Sequence, residues 1–338
     1  MFTQIRVFLF VCFVLAFFSC RKKEKSISFY YWRTRFHLDS IERKTLADNS
    51  VNTIYVRYFD IDLAAGDSSA KPSAPIIFDT PLMGFHIIPV IYLRNRVFEK
   101  LDSVEVVHLS QKIFLFLSQV NIAANFNTSE TQFDCDWTEK TKNNFFLFLR
   151  NYQNISKQII SATIRLHQVK YLTIAGIPPV DHGVLMYYNM GEINANNSNS
   201  IYEKTIAEKY NSYIKTYPLM LDVALPIFTW GQQIREGKVV RLLNKMNFMD
   251  FENDSNFIAV KKGWFAAKHS CFKSGYYFIE NDNVKIENAS GNDLLEIAND
   301  IHHNSNQKIR NIIFYDLDKT NLILYDQDIF KKIADCIY

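Results

Sequence analysis

Eight short runs of β-branched, aromatic and aliphatic residues recur along the chain, with helical periodicities between most of them. The runs are 28–32 (SFYYW), 53–60 (TIYVRYFD), His86–Leu93 (HIIPVIYL) and 131–136 (TQFDCD), then 161–166 (SATIRL), 183–189 (GVLMYYN), 221–228 (LDVALPIF) and 311–315 (NIIFY). Near-continuous apolar runs of this length suit parallel strands covered on both faces. The periodicities at 106–120, 138–152, 200–217 and 326–337 predict helices, with Thr138 as an N-cap and Pro218 as a stop. Strand–helix alternation repeated eight times predicts the α/β class and a (β/α)8 TIM barrel. An open doubly wound sheet is the alternative fold. Its dinucleotide-binding version loses support because no glycine-rich fingerprint follows the first run.

Two intervals break the regularity. The connection at 167–182 is short and holds Pro178 and Pro179, so its helix is expected to be short or irregular. The interval between runs seven and eight is long. Strand-like patterns at 256–266 and 275–287, with a helical one at 292–302, predict a small β-rich insertion over about 231–310.

Composition sets outer limits. Lys and Arg number 38 against 35 Asp and Glu, a formal charge of +3, which argues against a nucleic-acid partner. Apolar residues at 48% and charged residues at 22% describe a globular chain. Cys135, Cys271 and Cys336 form no close pair, so no disulfide framework is expected. No CxxC or HExxH spacing occurs, and neither a metal site nor a cofactor is expected.

Residues 1–20 read as an export signal. One positive charge precedes an apolar run at 7–18, and Ser19-Cys20 comes just before Arg21, Lys22 and Lys23. That junction resembles the lipobox of bacterial lipoproteins. The resemblance implies cleavage before Cys20 and a lipid on Cys20, with residues 21–338 tethered to a membrane in the cell envelope, facing the periplasm or the cell surface.

In a (β/α)8 barrel the chemistry gathers at the carboxyl ends of the strands. Those ends hold Trp32, Asp62, Tyr92, Asp134, Asp136, Trp137, Arg165, Tyr188, Asn189, Glu192, Trp230 and Asp316. Asp134 and Asp136 are two apart and share a face, with Cys135 on the other. Two carboxylates on one inward face repel, which raises one pKa and suits acid–base work. A salt-bridge network with Arg57, Arg94 or Arg165 that merely closes the barrel is the structural alternative. Trp32, Trp137 and Trp230 offer flat faces for sugar rings, and Asp, Asn and Arg offer partners for hydroxyls.

Phe133-Asp134-Cys135-Asp136-Trp137 resembles the fourth-strand motif Asp-x-x-Asp-x-Asp-x-Glu of family 18 glycoside hydrolases, the chitinase-like barrels. Met186-Tyr187-Tyr188-Asn189 resembles the sixth-strand motif Met-x-Tyr-Asp/Asn of the same family. The resemblance implies a glycan ligand, with Trp230 as an aromatic platform. The first Asp of the motif falls on Thr131 and its catalytic Glu on Thr138. The third-strand Ser-x-Gly-Gly element is missing as well. A Thr hydroxyl cannot protonate a leaving glycosidic oxygen near neutral pH. Three outcomes stay open: hydrolysis by another carboxylate set, such as Asp136 with Glu192 or Asp62; glycan binding without cleavage; or a scaffold lipoprotein whose polar strand ends are structural.

Overall fold

The computed structural model describes residues 26–64, 69–79, 84–305 and 309–338; the expected export signal at 1–20, with Cys20, lies outside them. Eight parallel strands close into a barrel: β1 (Ile27–Tyr31), β2 (Thr53–Leu63), β3 (His86–Leu93), β4 (Glu130–Asp134), β5 (Ile159–Arg165), β6 (His182–Met186), β7 (Leu221–Pro226) and β8 (Ile312–Tyr315). Each pairs with the next, and β8 and β2 both pair with β1, so the barrel has no open edge. The outer helices include α1 (Ser40–Asp48), α2 (Ser103–Ala124), α3 (Lys142–Ser156), α4 (Lys204–Ile214), α5 (Gly291–Asn304) and α6 (Ile329–Ile337). Among the described residues no helix is long and apolar enough to cross a membrane.

Alternation along each strand divides the core into two layers. Phe29, Val56, Phe133, Ile164, Tyr187 and Phe314 face outward and pack against the helices. Tyr30, Tyr55, Val90, Val184, Ala224 and Ile313 fill the lumen. Gly183 shows how tight the outer layer is. A Cβ there would lie 2.7 Å from Ile164 Cγ1 and 2.9 Å from a Leu221 methyl, one on each neighbouring strand. Gly183→Ala is therefore expected to destabilise the fold by about 1–3 kcal/mol, the usual cost of overpacking, read as a lower denaturant midpoint at unchanged slope.

The helix expected at 138–152 starts later. The Thr138 carbonyl accepts from the N–H groups of Thr141 and Lys142, so Thr138 lies in a turn and Thr141 takes the N-cap position. The insertion is a five-stranded antiparallel sheet in the order Lys238–Asn244, Thr229–Arg235, Asn283–Asn288, Trp264–Ala267, Phe257–Lys261. Its first hairpin, 229–244, was not among the expected strands. Glu236 and Gly237 turn it, both at positive φ. α5 was expected inside the insertion, but Leu294, Ile297 and Ile301 pack into the outer layer of the barrel. The insertion sheet therefore ends at Asn288.

Candidate functional site at the barrel mouth

The carboxyl ends of the strands form a mouth with two hollows that meet at Asn189. The first measures about 470 Å³ and is bordered by Asp136, Thr138, Arg165, His167, Tyr188 and Asn189. The second, about 340 Å³, is bordered by Trp32, Asn189, Trp230, Lys245, Tyr315 and Asp316. Both volumes fall in the range of small-molecule sites, about 300–1,000 Å³.

The polar hollow is built from strand alternation. Asp134 faces the lumen and accepts from Thr163 Oγ1 at 2.7 Å, while Cys135 enters the outer layer. Asp136 lies just past β4 and accepts from Arg165 Nε at 2.5 Å. Burial pushes the Asp134 carboxyl up to about 6, with Arg165 opposing and Asp136 adding to the rise. Burial works against the Arg165 charge, but Asp136 and Asp134 outweigh it, so the guanidinium is held above its usual pKa. Burial lowers His167, against the pull of Asp136. The Tyr188 hydroxyl is buried beside them and has no hydrogen-bond partner among the described residues.

The second hollow is aromatic. Trp32 meets Tyr315 edge-on at 5.3 Å, and Tyr315 stacks on Tyr188 at 5.6 Å. Phe228 packs between Tyr188 and Trp230 at 5.7 and 5.3 Å. Burial raises the Asp316 carboxyl to about 6; Lys245 opposes this, Asp318 adds to it, and Asn321 donates at 2.6 Å.

A β-bulge supplies one more ion pair. The register with β3 shifts between Arg57 and Phe59, and both Tyr58 and Phe59 turn outward. Asp60 is thereby returned to the Arg57 side, and the two pair at 2.6 Å.

Of the residues expected at the site, Asp136, Trp137, Arg165, Tyr188 and Asn189 border the polar hollow, and Trp32, Asn189, Trp230 and Asp316 the aromatic one. Asp134 lies buried beneath the first. Tyr92 is half-buried nearby, its phenol raised by burial and then by Asp134 and Asp136. Neither Asp134 nor Tyr92 borders a hollow, and three more residues depart from expectation. Glu192 is exposed and borders neither hollow. Asp62 borders neither; Arg96 grips it with two 2.6 Å bonds. Trp137 touches the polar hollow, but its ring is 2% exposed, stacked on Phe145 and bonded to the Ala175 carbonyl. That ring belongs to the layer between strands and helices. Tyr315 and Phe228 also border the aromatic hollow; neither is among the expected site residues, although each ends an apolar run.

No family model matches the sequence, and no curated protein matches it. Solved structures match the fold along nearly the whole chain. The spore cortex-lytic enzyme SleL of Bacillus cereus is similar at TM-score 0.53 and 11% identity, over 93% of this chain and 74% of that one. A chitinase from Chromobacterium violaceum is similar at 0.53 and 9%, over 92% and 98%. A GH18 chitinase from Cycas revoluta, solved with (GlcNAc)4, is similar at 0.53 and 11%, over 92% and 99%. At these identities the likeness establishes a chitinase-like (β/α)8 barrel.

Proposed function

We propose that this chain is an exported, lipid-anchored protein whose barrel mouth binds a glycan without cleaving it. The observation that carries the reading is the pair of hollows that share Asn189 at the barrel mouth. One offers the Tyr188 hydroxyl, buried and without a partner among the described residues, beside Asp136 and Arg165; the other offers Trp32, Trp230 and Tyr315. Polar groups that fix hydroxyls next to flat aromatic faces suit a sugar chain. The Cycas revoluta barrel of the same fold is seen with (GlcNAc)4, which supports an N-acetylhexosamine oligosaccharide as the ligand class. Cleavage needs a proton donor, and by the motif resemblance that position falls on Thr138, which borders the polar hollow. Of the other carboxylates considered, Asp136 is paired with Arg165, Asp62 with Arg96, and Glu192 lies apart. Cys20 would carry the lipid and hold the barrel in the cell envelope.

Calorimetry with chitotetraose tests this. Wild type is expected to bind and to release no reducing ends. Trp230→Ala is expected to weaken binding about 30-fold, the roughly 2 kcal/mol of a Trp anchor. Unchanged affinity in that variant, or no affinity in wild type, refutes the reading.

Hydrolysis is the second reading, favoured by Asp316. Its carboxyl borders the aromatic hollow and is poised near pH 6, where an acid catalyst works. Steady release of reducing ends that Asp316→Asn abolishes would establish it over the first.

A further inference from the structure

The loop that leaves β6 meets the insertion sheet at a buried ion pair. Lys285 Nζ lies 2.6 Å from Glu287 Oε1, with side chains 4% and 1% exposed. The two residues share one face of the strand Asn283–Asn288. Across the strand pair Glu287 stands opposite Trp230, and Lys285 opposite Gln232. The second carboxylate oxygen of Glu287 accepts from Trp230 Nε1 at 2.9 Å and from the Ser200 hydroxyl. Lys285 also donates to the Ser198 and Asn194 carbonyls at 2.6 and 3.3 Å. Asn199 donates to the Asn288 carbonyl at 2.7 Å, and Lys261 to Asn197 Oδ1 at 2.6 Å. The loop then returns to the mouth, where Asn189 N–H bonds the Ile201 carbonyl and Gly191 N–H the Ser200 carbonyl.

Glu287 therefore touches both walls of the aromatic hollow. It holds the indole of Trp230 on one side and, through Ser200, the segment that carries Asn189 on the other. A hydrogen bond from an indole N–H to a carboxylate is short and directional. It fixes the tilt of the ring as packing alone does not.

We infer that Glu287, its charge balanced by Lys285, is a positioning residue. It sets the Trp230 ring and latches the 190–200 loop, so that Trp230 and Asn189 keep the spacing a sugar chain needs to cross both hollows. The ligand part of this inference rests on the glycan-binding reading; the orientation of Trp230 does not.

Glu287→Gln tests it in the full barrel, with the Lys285→Met/Glu287→Gln double variant carrying the same measurements if the single one does not fold. Two readouts separate positioning from mere support. The indole N–H resonance of Trp230, assigned with Trp230→Phe, is expected to shift, while that of Trp137 stays put. Affinity for chitotetraose is expected to fall about tenfold, the effect of losing a charge-assisted bond, while chitobiose in the polar hollow binds as before. An unmoved Trp230 resonance overturns the inference, as does an equal loss for both sugars. If wild type binds neither sugar, the glycan reading fails and the resonance alone decides whether Glu287 positions Trp230.

Discussion

Asp222→Ala should lower the free energy of unfolding by about 1–3 kcal/mol, the cost of leaving a buried hydrogen-bond donor without its acceptor. Asp222 stands inside the barrel floor, at the amino end of β7, and is 0% exposed. It accepts from Arg310 at 2.8 Å and from the Asn311 N–H at 3.1 Å. His182 lies 3.5 Å from it and 3.2 Å from Glu130 on β4. Burial alone would raise the Glu130 carboxyl, but His182, Ser161 and Arg310 together hold it below its usual range. Alanine would leave the buried Asn311 N–H without its acceptor, while the Arg310 side chain, 45% exposed, can turn to water. Asp222→Asn keeps an acceptor oxygen and is expected to cost less. Denaturant unfolding followed by circular dichroism reads both variants. A loss below about 1 kcal/mol in the alanine variant would show that the floor network is dispensable. Because the floor lies opposite the mouth, glycan affinity well below the melting temperature is expected to stay unchanged in either variant.

The barrel was legible because its strands are buried on both faces and so read as unbroken apolar runs. Alternation also separated Asp134 and Asp136 from Cys135. What alternation cannot show is a bulge. Counting by twos from Arg57 sends Asp60 outward, and the register shift at Tyr58 brings it back. The hairpin at 229–244 was hidden for another reason. Its two strands, TWGQQIR and KVVRLLN, mix buried glutamines with half-buried apolar residues and an exposed Val240, so neither a clean period nor a hydrophobic run marks them. Partners distant in sequence account for the site residues that fell elsewhere. Asp62 is claimed by Arg96, and the Trp137 ring by Phe145 and the Ala175 carbonyl. Nothing near Glu192 in the sequence states that its loop turns toward solvent. Glu287 did leave a trace: Lys285 and Glu287 alternate with apolar residues in NVKIEN, the spacing that puts both charges on one strand face.

The pH dependence of stability should identify Asp134 as a sealed acid. Its carboxyl is 4% exposed and sits near 6 in the fold, against 3.8 for the free group. Burial is the main cause; Arg165 and the Thr163 bond pull the other way without prevailing. Because the folded value is the higher one, the fold prefers the protonated carboxyl. The stability this group contributes is complete below about pH 3.8 and is lost as pH rises through about 6. A shift of two units corresponds to about 3 kcal/mol. Asparagine has no proton to lose and still offers Thr163 an acceptor. The stability of Asp134→Asn relative to wild type should therefore climb by about 3 kcal/mol between pH 3.5 and 7, then level off. Asp316 titrates over the same span in both proteins, so it cancels in the difference. Melting curves at closely spaced pH values supply the measurement. A difference that stays flat would mean that Asp134 ionises as an open carboxylate does, in contact with water. The polar hollow would then extend down to β4, and Asp134 would join Asp136 as a group able to meet a ligand directly.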